Sequence, residues 1–140
     1  MGSGIAQVSA TAGFKTILFD VNAAVVEAAK TKIENDLQTL VSKQKITAEK
    51  KESILHQFVF TSNIKDCIAD VIIEAVVEKL EIKISLFNQL TALNDEKTIF
   101  ASNTSSLSVS GIAKEISKPH RFAGLHFFNP APIMKLVEVV

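Results

Sequence analysis

The sequence has only one cysteine and no net charge. One cysteine, Cys67, occurs in 140 residues, so no internal disulfide can form and we expect a reducing, cytoplasmic location. The 15 basic residues balance the 15 acidic ones, which leaves no positive excess to neutralise a phosphate backbone. These shortages exclude a disulfide-stapled secreted protein and argue against a nucleic-acid partner.

Long apolar runs are missing as well. No run approaches the roughly 18 residues that a membrane-spanning helix needs, and no signal peptide is visible, so we expect no membrane partner. Internal repeats and low-complexity linkers are absent too. With 47% hydrophobic residues in a chain of 140, the sequence predicts one packed domain over residues 1–140.

Short apolar runs alternate along the chain with segments of helical periodicity. The helices are predicted over residues 3–12, 22–44, 47–56, 80–93 and 106–116. The strands are predicted over residues 15–20, 58–61, 71–76, 98–101, 122–127 and 136–140. Because most of these strands are apolar on both faces and alternate with helices, they predict an α/β fold with a doubly wound, mostly parallel sheet.

Several helix ends carry recognisable signals. Asn22 and Thr47 are predicted N-caps, and Gly13 is predicted to stop the first helix. Ser105 or Ser106 is a candidate cap for the helix over 106–116. In the helix over 80–93, the apolar stripe is predicted to comprise Leu80, Ile84 and Phe87.

Polar side chains follow the apolar runs at their carboxyl ends, where open α/β sheets bind ligands. Right-handed crossovers would bring these ends to one edge of the sheet, so we expect a functional site there. The residues concerned are Asp20, Glu74, Glu78, the segment 102–106, His126 and Asn129.

The opening residues look like the second half of a dinucleotide-binding unit. Gly2 matches the last glycine of a G-x-G-x-x-G loop, where a side chain would hinder helix–strand packing and the helix N-terminus faces a pyrophosphate. Asp20 follows about 20 residues later, where a carboxylate binds ribose hydroxyls and repels a 2′-phosphate, which favours NAD over NADP. The alternative is that Asp20 merely caps the helix beginning near Asn22.

A histidine and a glutamate flank a proline-containing turn near the end of the chain. Pro130 and Pro132 predict a turn that brings the chain back antiparallel, which would set Glu138 beside His126. A carboxylate on one imidazole nitrogen fixes the tautomer and leaves the other nitrogen to accept a hydroxyl proton. The alternatives are a core histidine and an ordinary edge-strand acid.

Two further groups of polar residues have both structural and functional interpretations. The lysine-rich segment 43–51, which begins at Lys43, is either a solvated surface or a partial anchor for a phosphorylated substrate. The segment 102–106 is either a capping loop or a ligand contact. His56 and His120 are predicted to be surface residues.

Four motifs together resemble the NAD-binding domain of the 3-hydroxyacyl-CoA dehydrogenases, a group that includes the 3-hydroxybutyryl-CoA dehydrogenases. The resemblance implies a Rossmann-like fold and oxidation of a 3-hydroxyacyl-CoA to the 3-ketoacyl-CoA in fatty acid metabolism, with NAD as hydride acceptor. The motifs are MGSGIAQ at 1–7, EAVVE at 74–78, ASNTSSL at 101–107 and HFFNP at 126–130.

The resemblance also implies roles for individual residues. His126 would be the general base and Glu138 its orienting partner. Ser105 and Asn129 would contact both substrate and cofactor, with Ser105 bonding the substrate oxygen as part of the catalytic group.

The remaining implied roles concern the cofactor and the CoA group. Asp20 and Gly2 would contact the adenosine half of NAD, and Glu78 and Lys83 would lie near the cofactor. Lys43 falls where the family has a lysine that contacts CoA, although the family's neighbouring serine appears as Asp36. No metal site is implied.

The sequence departs from the family pattern at both ends. The family has a strand and two further glycines before Met1, and after Val140 a helical domain that closes the acyl-CoA site and forms a homodimer. We therefore expect a truncated chain, itself inactive, in which the neighbours of the missing strand lack a ladder partner. A shortened sequence and a reading frame begun at an internal methionine both explain this.

Two alternative functions remain open on the sequence alone. One is a catalytically silent fragment that binds NAD weakly or not at all. The other is a different dehydrogenase of the same fold, acting on a 3-hydroxyacid or a polyol phosphate.

Overall fold

A computed structural model describes all 140 residues and divides them into two compact units. The first unit comprises Met1 and Ser3–Asp66, and the second comprises Gly2 and Cys67–Val140. Each unit contains its own β-sheet. No helix in the structure combines the length and the apolar composition needed to cross a membrane.

The first unit packs three helices against a two-stranded parallel sheet. The elements are α1 (Gly2–Thr11), β1 (Thr16–Phe19), α2 (Ala23–Ser42), α3 (Ala48–Leu55) and β2 (Phe58–Thr61). Strands β1 and β2 pair from Thr16 opposite Phe58 to Phe19 opposite Thr61. Buried residues of α1, β1, α2 and α3 form its core: Ala6, Ala10, Leu18, Val26, Ile33, Leu37 and Ile54.

Local signals set the ends of these helices as predicted. Asn22 caps α2 by accepting a hydrogen bond from the Ala24 N–H, and Thr47 caps α3 by accepting one from the Lys50 N–H. Gly13 follows α1 with a φ of 94°, a left-handed conformation that glycine adopts without steric cost. The caps predicted at Asn22 and Thr47 and the stop at Gly13 are confirmed.

The second unit comprises β3 (Val71–Glu74), α4 (Leu80–Leu93), β4 (Ile99–Ser102), α5 (Val109–Lys114), β5 (Phe122–Phe127) and β6 (Val137–Val139), with a short 3-10 turn at Pro119–Arg121. Its four-stranded sheet has the order β3-β4-β5-β6. Pairing is parallel from β3 to β5, and β6 is antiparallel to β5, so the predicted mostly parallel α/β fold is confirmed. In their respective sheets, β1 and β3 are each paired on one side only.

Two details of the second unit differ from the sequence prediction. Helix α5 begins at Val109 with Ser108 as its cap, so the predicted start at 106 and the caps at Ser105 or Ser106 are wrong. Residues 104–107 instead bond to Glu78 and to one another, which holds them outside the helix. In α4, Leu80 is 37% exposed whereas Lys83 is buried, because two carboxylates inside the unit bind the lysine.

Candidate functional site

His126 and Glu138 lie directly opposite each other on the antiparallel strands β5 and β6. The His126 Nδ1 and Glu138 Oε2 atoms are 3.5 Å apart, and the two side chains are 23% and 60% exposed. The approach of Nδ1 to the carboxylate leaves Nε2 as the ring nitrogen available to a ligand. The predicted juxtaposition of these side chains is confirmed, and their catalytic roles stay predictions.

The turn between β5 and β6 produces this register. The Asn129–Pro130 peptide bond is cis, and the Pro130 carbonyl accepts hydrogen bonds from the N–H groups of Ile133 and Met134 at 3.0 and 2.9 Å. Beyond His126, Gly124 and Val140 exchange two backbone hydrogen bonds of 2.8 and 3.0 Å. Because side chains alternate along a strand, His126 faces the same side of the sheet as Gly124.

A cavity of about 410 Å³ opens on this side of the sheet. It brings together all three of the predicted catalytic residues, Ser105, His126 and Glu138. Asn129 is exposed at the start of the turn and does not line the cavity. The lining residues are Thr104, Ser105, Ser106, Leu107, Ser108, Val109, Ser110, Gly124, His126, Glu138 and Val140.

Glu78 holds the loop that carries Ser105. Its Oε1 accepts hydrogen bonds from the Thr104 hydroxyl, from the Ser105 N–H at 3.3 Å and from the Ser106 hydroxyl at 3.1 Å. Burial alone would raise the pKa of the Glu78 carboxyl. The pKa is instead lowered to about 2, because Thr104 donates a hydrogen bond to the carboxylate and Lys83 adds both a hydrogen bond and a positive charge. The loop therefore closes around a carboxylate that stays ionised.

Lys83 lies beneath this loop and is 1% exposed. Its Nζ is 2.6 Å from Glu74 Oε1 and 3.0 Å from Glu78 Oε2. Ser102, which is fully buried, donates its hydroxyl to Glu74 Oε2 at 2.6 Å. Lys83 thus joins α4 to the carboxyl end of β3, and Glu74 joins that end to the carboxyl end of β4.

Asn103 connects the same loop to β5. Parallel pairing between β4 and β5 ends at Ser102 opposite Gly124. One residue later, the Asn103 side-chain oxygen accepts the Phe127 N–H at 2.8 Å, and the Asn103 N–H donates to the Glu74 carbonyl at 2.8 Å. Asn103 therefore fixes the backbone next to His126.

The predicted site residues near the start of the chain are more exposed. Asp20 follows β1, and its Oδ1 accepts the Asn22 N–H at 2.9 Å, so it supports the turn before α2 although Asn22 is the cap. Lys43 is exposed at the end of α2. A Cβ on Gly2 would lie 3.9 Å from the Ala75 Cβ, an ordinary contact, so packing does not require glycine there.

Sequence reasoning placed Glu74 and the segment 102–106 at the functional edge but missed how they connect. Glu74, Ser102 and Asn103 form hydrogen bonds that tie strand ends together. The sequence signal for this connection was Lys83 on α4, which follows Glu74 and Glu78 along the chain. The burial of Lys83 cannot be read from helical periodicity. His56 and His120 are exposed, as predicted.

Comparison with known proteins gives consistent matches. The family described as 3-hydroxyacyl-CoA dehydrogenase, NAD binding domain, matches residues 1–140. The 3-hydroxyadipyl-CoA dehydrogenase of Escherichia coli K12 is 45% identical over 141 residues, which cover 100% of this chain and 30% of that protein. The mitochondrial hydroxyacyl-coenzyme A dehydrogenase of Homo sapiens is 41% identical over 147 residues, with coverage of 100% and 47%.

The fold comparison agrees with these matches. The crystal structure of 3-hydroxybutyryl-CoA dehydrogenase from Escherichia coli K12 superposes with a TM-score of 0.96 at 45% identity. The superposition covers 99% of this chain and 30% of that one. The chain thus spans less than half the length of the curated relatives described here, 30% of one and 47% of the other.

Proposed function

The chain belongs to the 3-hydroxyacyl-CoA dehydrogenase family, whose NAD-binding domain it matches over residues 1–140, and from this membership we propose the activity of the whole protein. The whole protein oxidises a 3-hydroxyacyl-CoA to the corresponding 3-ketoacyl-CoA, a step of fatty acid metabolism. The family match also confirms the resemblance and the NAD cofactor that the sequence motifs predicted. The observation that carries the proposal is the His126–Glu138 pair at a cavity that Ser105 also lines.

His126 acts as the general base in this proposal. Its Nε2 accepts the proton of the substrate's C3 hydroxyl while Glu138, opposite Nδ1, orients the ring and stabilises the imidazolium. The C–H electron pair at C3 leaves as hydride, and the C–O bond becomes a carbonyl. NAD, when bound, supplies the hydride acceptor.

Ser105 is proposed to position the substrate oxygen. Its N–H donates to Glu78 Oε1 at 3.3 Å, and the residue lines the same cavity as His126. A hydroxyl donor at this position favours an oxygen that gains negative charge as its proton leaves. Asn129 is proposed to contact the same ligands, and it lies three residues beyond His126 at the start of the turn.

Asp20 is proposed to contact the adenosine ribose of NAD, and Gly2 is proposed to lie at the pyrophosphate. One oxygen of Asp20 accepts the Asn22 N–H, which leaves the second oxygen to accept hydrogen bonds from ribose hydroxyls. Helix α1 has no side-chain cap at its N-terminus, so its first N–H groups suit a pyrophosphate beside Gly2. Glu78 is proposed to lie near the cofactor as well.

The remaining proposals concern partners and location. Lys43, exposed at the end of α2, is proposed to contact the phosphates of CoA. The family resemblance supports a homodimer for the whole protein. The single cysteine supports a proposed cytoplasmic location, because it fits a reducing compartment.

The direct test is an assay of NADH formation by the whole protein. We expect turnover with 3-hydroxyacyl-CoA thioesters and little with the free 3-hydroxyacids or with polyol phosphates. Preference for a free acid would favour the other dehydrogenases of this fold. The second candidate function concerns the 140-residue chain alone, which would be catalytically inactive and bind NAD weakly or not at all. Calorimetric titration of that chain with NAD measures the affinity that it retains.

A further inference from the structure

Lys83 is one of the large, fully buried side chains of the second unit, and it lies between two glutamates. Its Nζ approaches Glu74 Oε1 at 2.6 Å and Glu78 Oε2 at 3.0 Å. An ammonium group is rarely buried unless carboxylates pair with it and accept its hydrogen bonds. The position of this lysine is therefore tightly determined by the two carboxylates.

Glu74 uses both of its oxygens inside the unit. Oε1 accepts the Val76 N–H at 2.7 Å in addition to Lys83, and Oε2 accepts the Ser102 hydroxyl at 2.6 Å. These bonds join the end of β3, the first turn of α4 and the end of β4. Glu74 is 3% exposed, so it reaches neither solvent nor the cavity.

Glu78 connects this buried cluster to the residues that line the cavity. Its Oε2 contacts Lys83, and its Oε1 accepts hydrogen bonds from Thr104, Ser105 and Ser106. The Thr104 hydroxyl oxygen in turn accepts the Leu107 N–H at 3.0 Å. A chain of direct contacts thus runs from the buried Glu74–Lys83 pair to the backbone of Ser105.

We propose that Glu74 and Lys83 are positioning residues, which hold Glu78 where it fixes the loop 104–107 and so sets Ser105 against His126 across the cavity. This inference rests on the proposed function, because it assigns the loop a part in that reaction. It differs from a direct cofactor contact for Lys83, since the 1% exposed lysine has its ammonium group between two carboxylates.

The test compares three forms of the whole protein: wild type, Glu74→Gln, and the double variant Glu74→Gln/Lys83→Met. The amide introduced by the single substitution keeps an acceptor for the Val76 N–H and for Lys83, so the single variant should keep an ordered loop. The double variant removes the cation but retains the wild-type net charge of the cluster. Because a buried ion pair is often replaceable by apolar groups without loss of folding, we expect it to fold.

Amide exchange in the loop and kcat, compared with the dissociation constant for NAD, distinguish positioning from cofactor contact. In the double variant, amide hydrogen exchange in the peptide covering residues 103–108 should accelerate about tenfold or more. Its kcat should fall about tenfold or more, while the dissociation constant for NAD changes less than about threefold. Lys118→Met, which breaks an ion pair with Glu96 away from the cavity, is the matched control and should change neither.

Each contrary result has a defined meaning. Unchanged exchange and kcat in the double variant would overturn the proposal, as would a loss of NAD affinity of more than about tenfold with the loop still ordered. If the double variant does not fold, Thr104→Val removes the hydrogen bond between the loop and Glu78 instead. That variant must then show the same faster loop exchange and the same lower kcat. If the wild type oxidises no 3-hydroxyacyl-CoA, the proposed function fails, and the exchange rates alone still decide whether the pair orders the loop.

Discussion

Two of the pairs of a basic side chain and a glutamate in the second unit, Lys83 with Glu74 and His126 with Glu138, lie in opposite surroundings. The Lys83 and Glu74 side chains are 1% and 0% exposed and their charged atoms are 2.6 Å apart. The His126 and Glu138 side chains are 23% and 60% exposed and their nearest polar atoms are 3.5 Å apart. Both pairs involve residues at or near the carboxyl ends of strands in the same sheet.

The difference separates a pair that maintains structure from a pair that can exchange a proton. Every oxygen of Glu74 has donors from the protein, so a ligand has no access to the pair. His126 presents one nitrogen to Glu138 and faces a cavity large enough for part of a substrate. Leaving one member of the first pair without its partner should therefore lower stability, and loss of the second pair should lower turnover directly.

The greatest change should be in catalysis. His126→Ala in the whole protein should lower kcat by about 10²–10⁴, because the hydroxyl proton loses its acceptor. Stability should change little, since the side chain is partly exposed. Steady-state kinetics and a thermal melt of the same preparation measure both. Turnover at the wild-type rate would remove His126 from the mechanism.

The next effect is on stability. Lys83→Met leaves the buried Glu74 carboxylate without its cation and should cost about 3–5 kcal/mol in the free energy of unfolding. Urea denaturation of the chain measures this loss. Lys118→Met should cost much less, because its partner Glu96 is 80% exposed. Equal losses of unfolding free energy in the two variants would contradict the claim that the buried pair contributes more to stability than the exposed pair.

A smaller effect is expected at Gly124, two residues before His126 on β5. An added Cβ would lie 2.8 Å from Val109 Cγ2 and 3.2 Å from the Val140 Cβ, so Gly124→Ala should destabilise by about 1–3 kcal/mol. The strain should also displace β6 and separate Glu138 from His126. Denaturation midpoints and kcat test this together, and wild-type values of both would show that β6 accommodates the methyl group.

The weakest effect concerns the pH dependence of stability. The pKa of Glu78 is lowered to about 2 in the folded chain, so its stabilising contribution is present above the unfolded value and is lost as pH falls from about 4.5 towards 2. Glu78→Gln should therefore be less stable than the wild type at pH 6, with a smaller difference at pH 3. A difference that is constant with pH would show that the charge of Glu78 contributes nothing.

Much of the fold was predictable because apolar periodicity and capping signals agree locally. Helix α4 and the strands β2 and β5 have the predicted bounds. The start of α5 was not predictable, because Glu78, far away in sequence, competes for the donors of residues 104–106. A long-range contact of this kind leaves no periodic trace in the sequence.

The site was predictable only where local sequence signals determine it. The turn at Pro130 and Pro132 sets the register that places Glu138 opposite His126, and both prolines are visible in the sequence. The burial of Lys83 was not visible, because a lysine on an amphipathic helix usually faces solvent. Only the two carboxylates that converge on it explain its position.

Glu138 acts through His126 in the proposed mechanism, and a double-mutant cycle on kcat is the sharpest test of that dependence. We predict that Glu138→Gln lowers kcat on its own, yet that Glu138→Gln/His126→Ala matches His126→Ala within about twofold. Independent, multiplicative losses in the double variant would contradict the mechanism, because they would mean that the two side chains do not work as a pair.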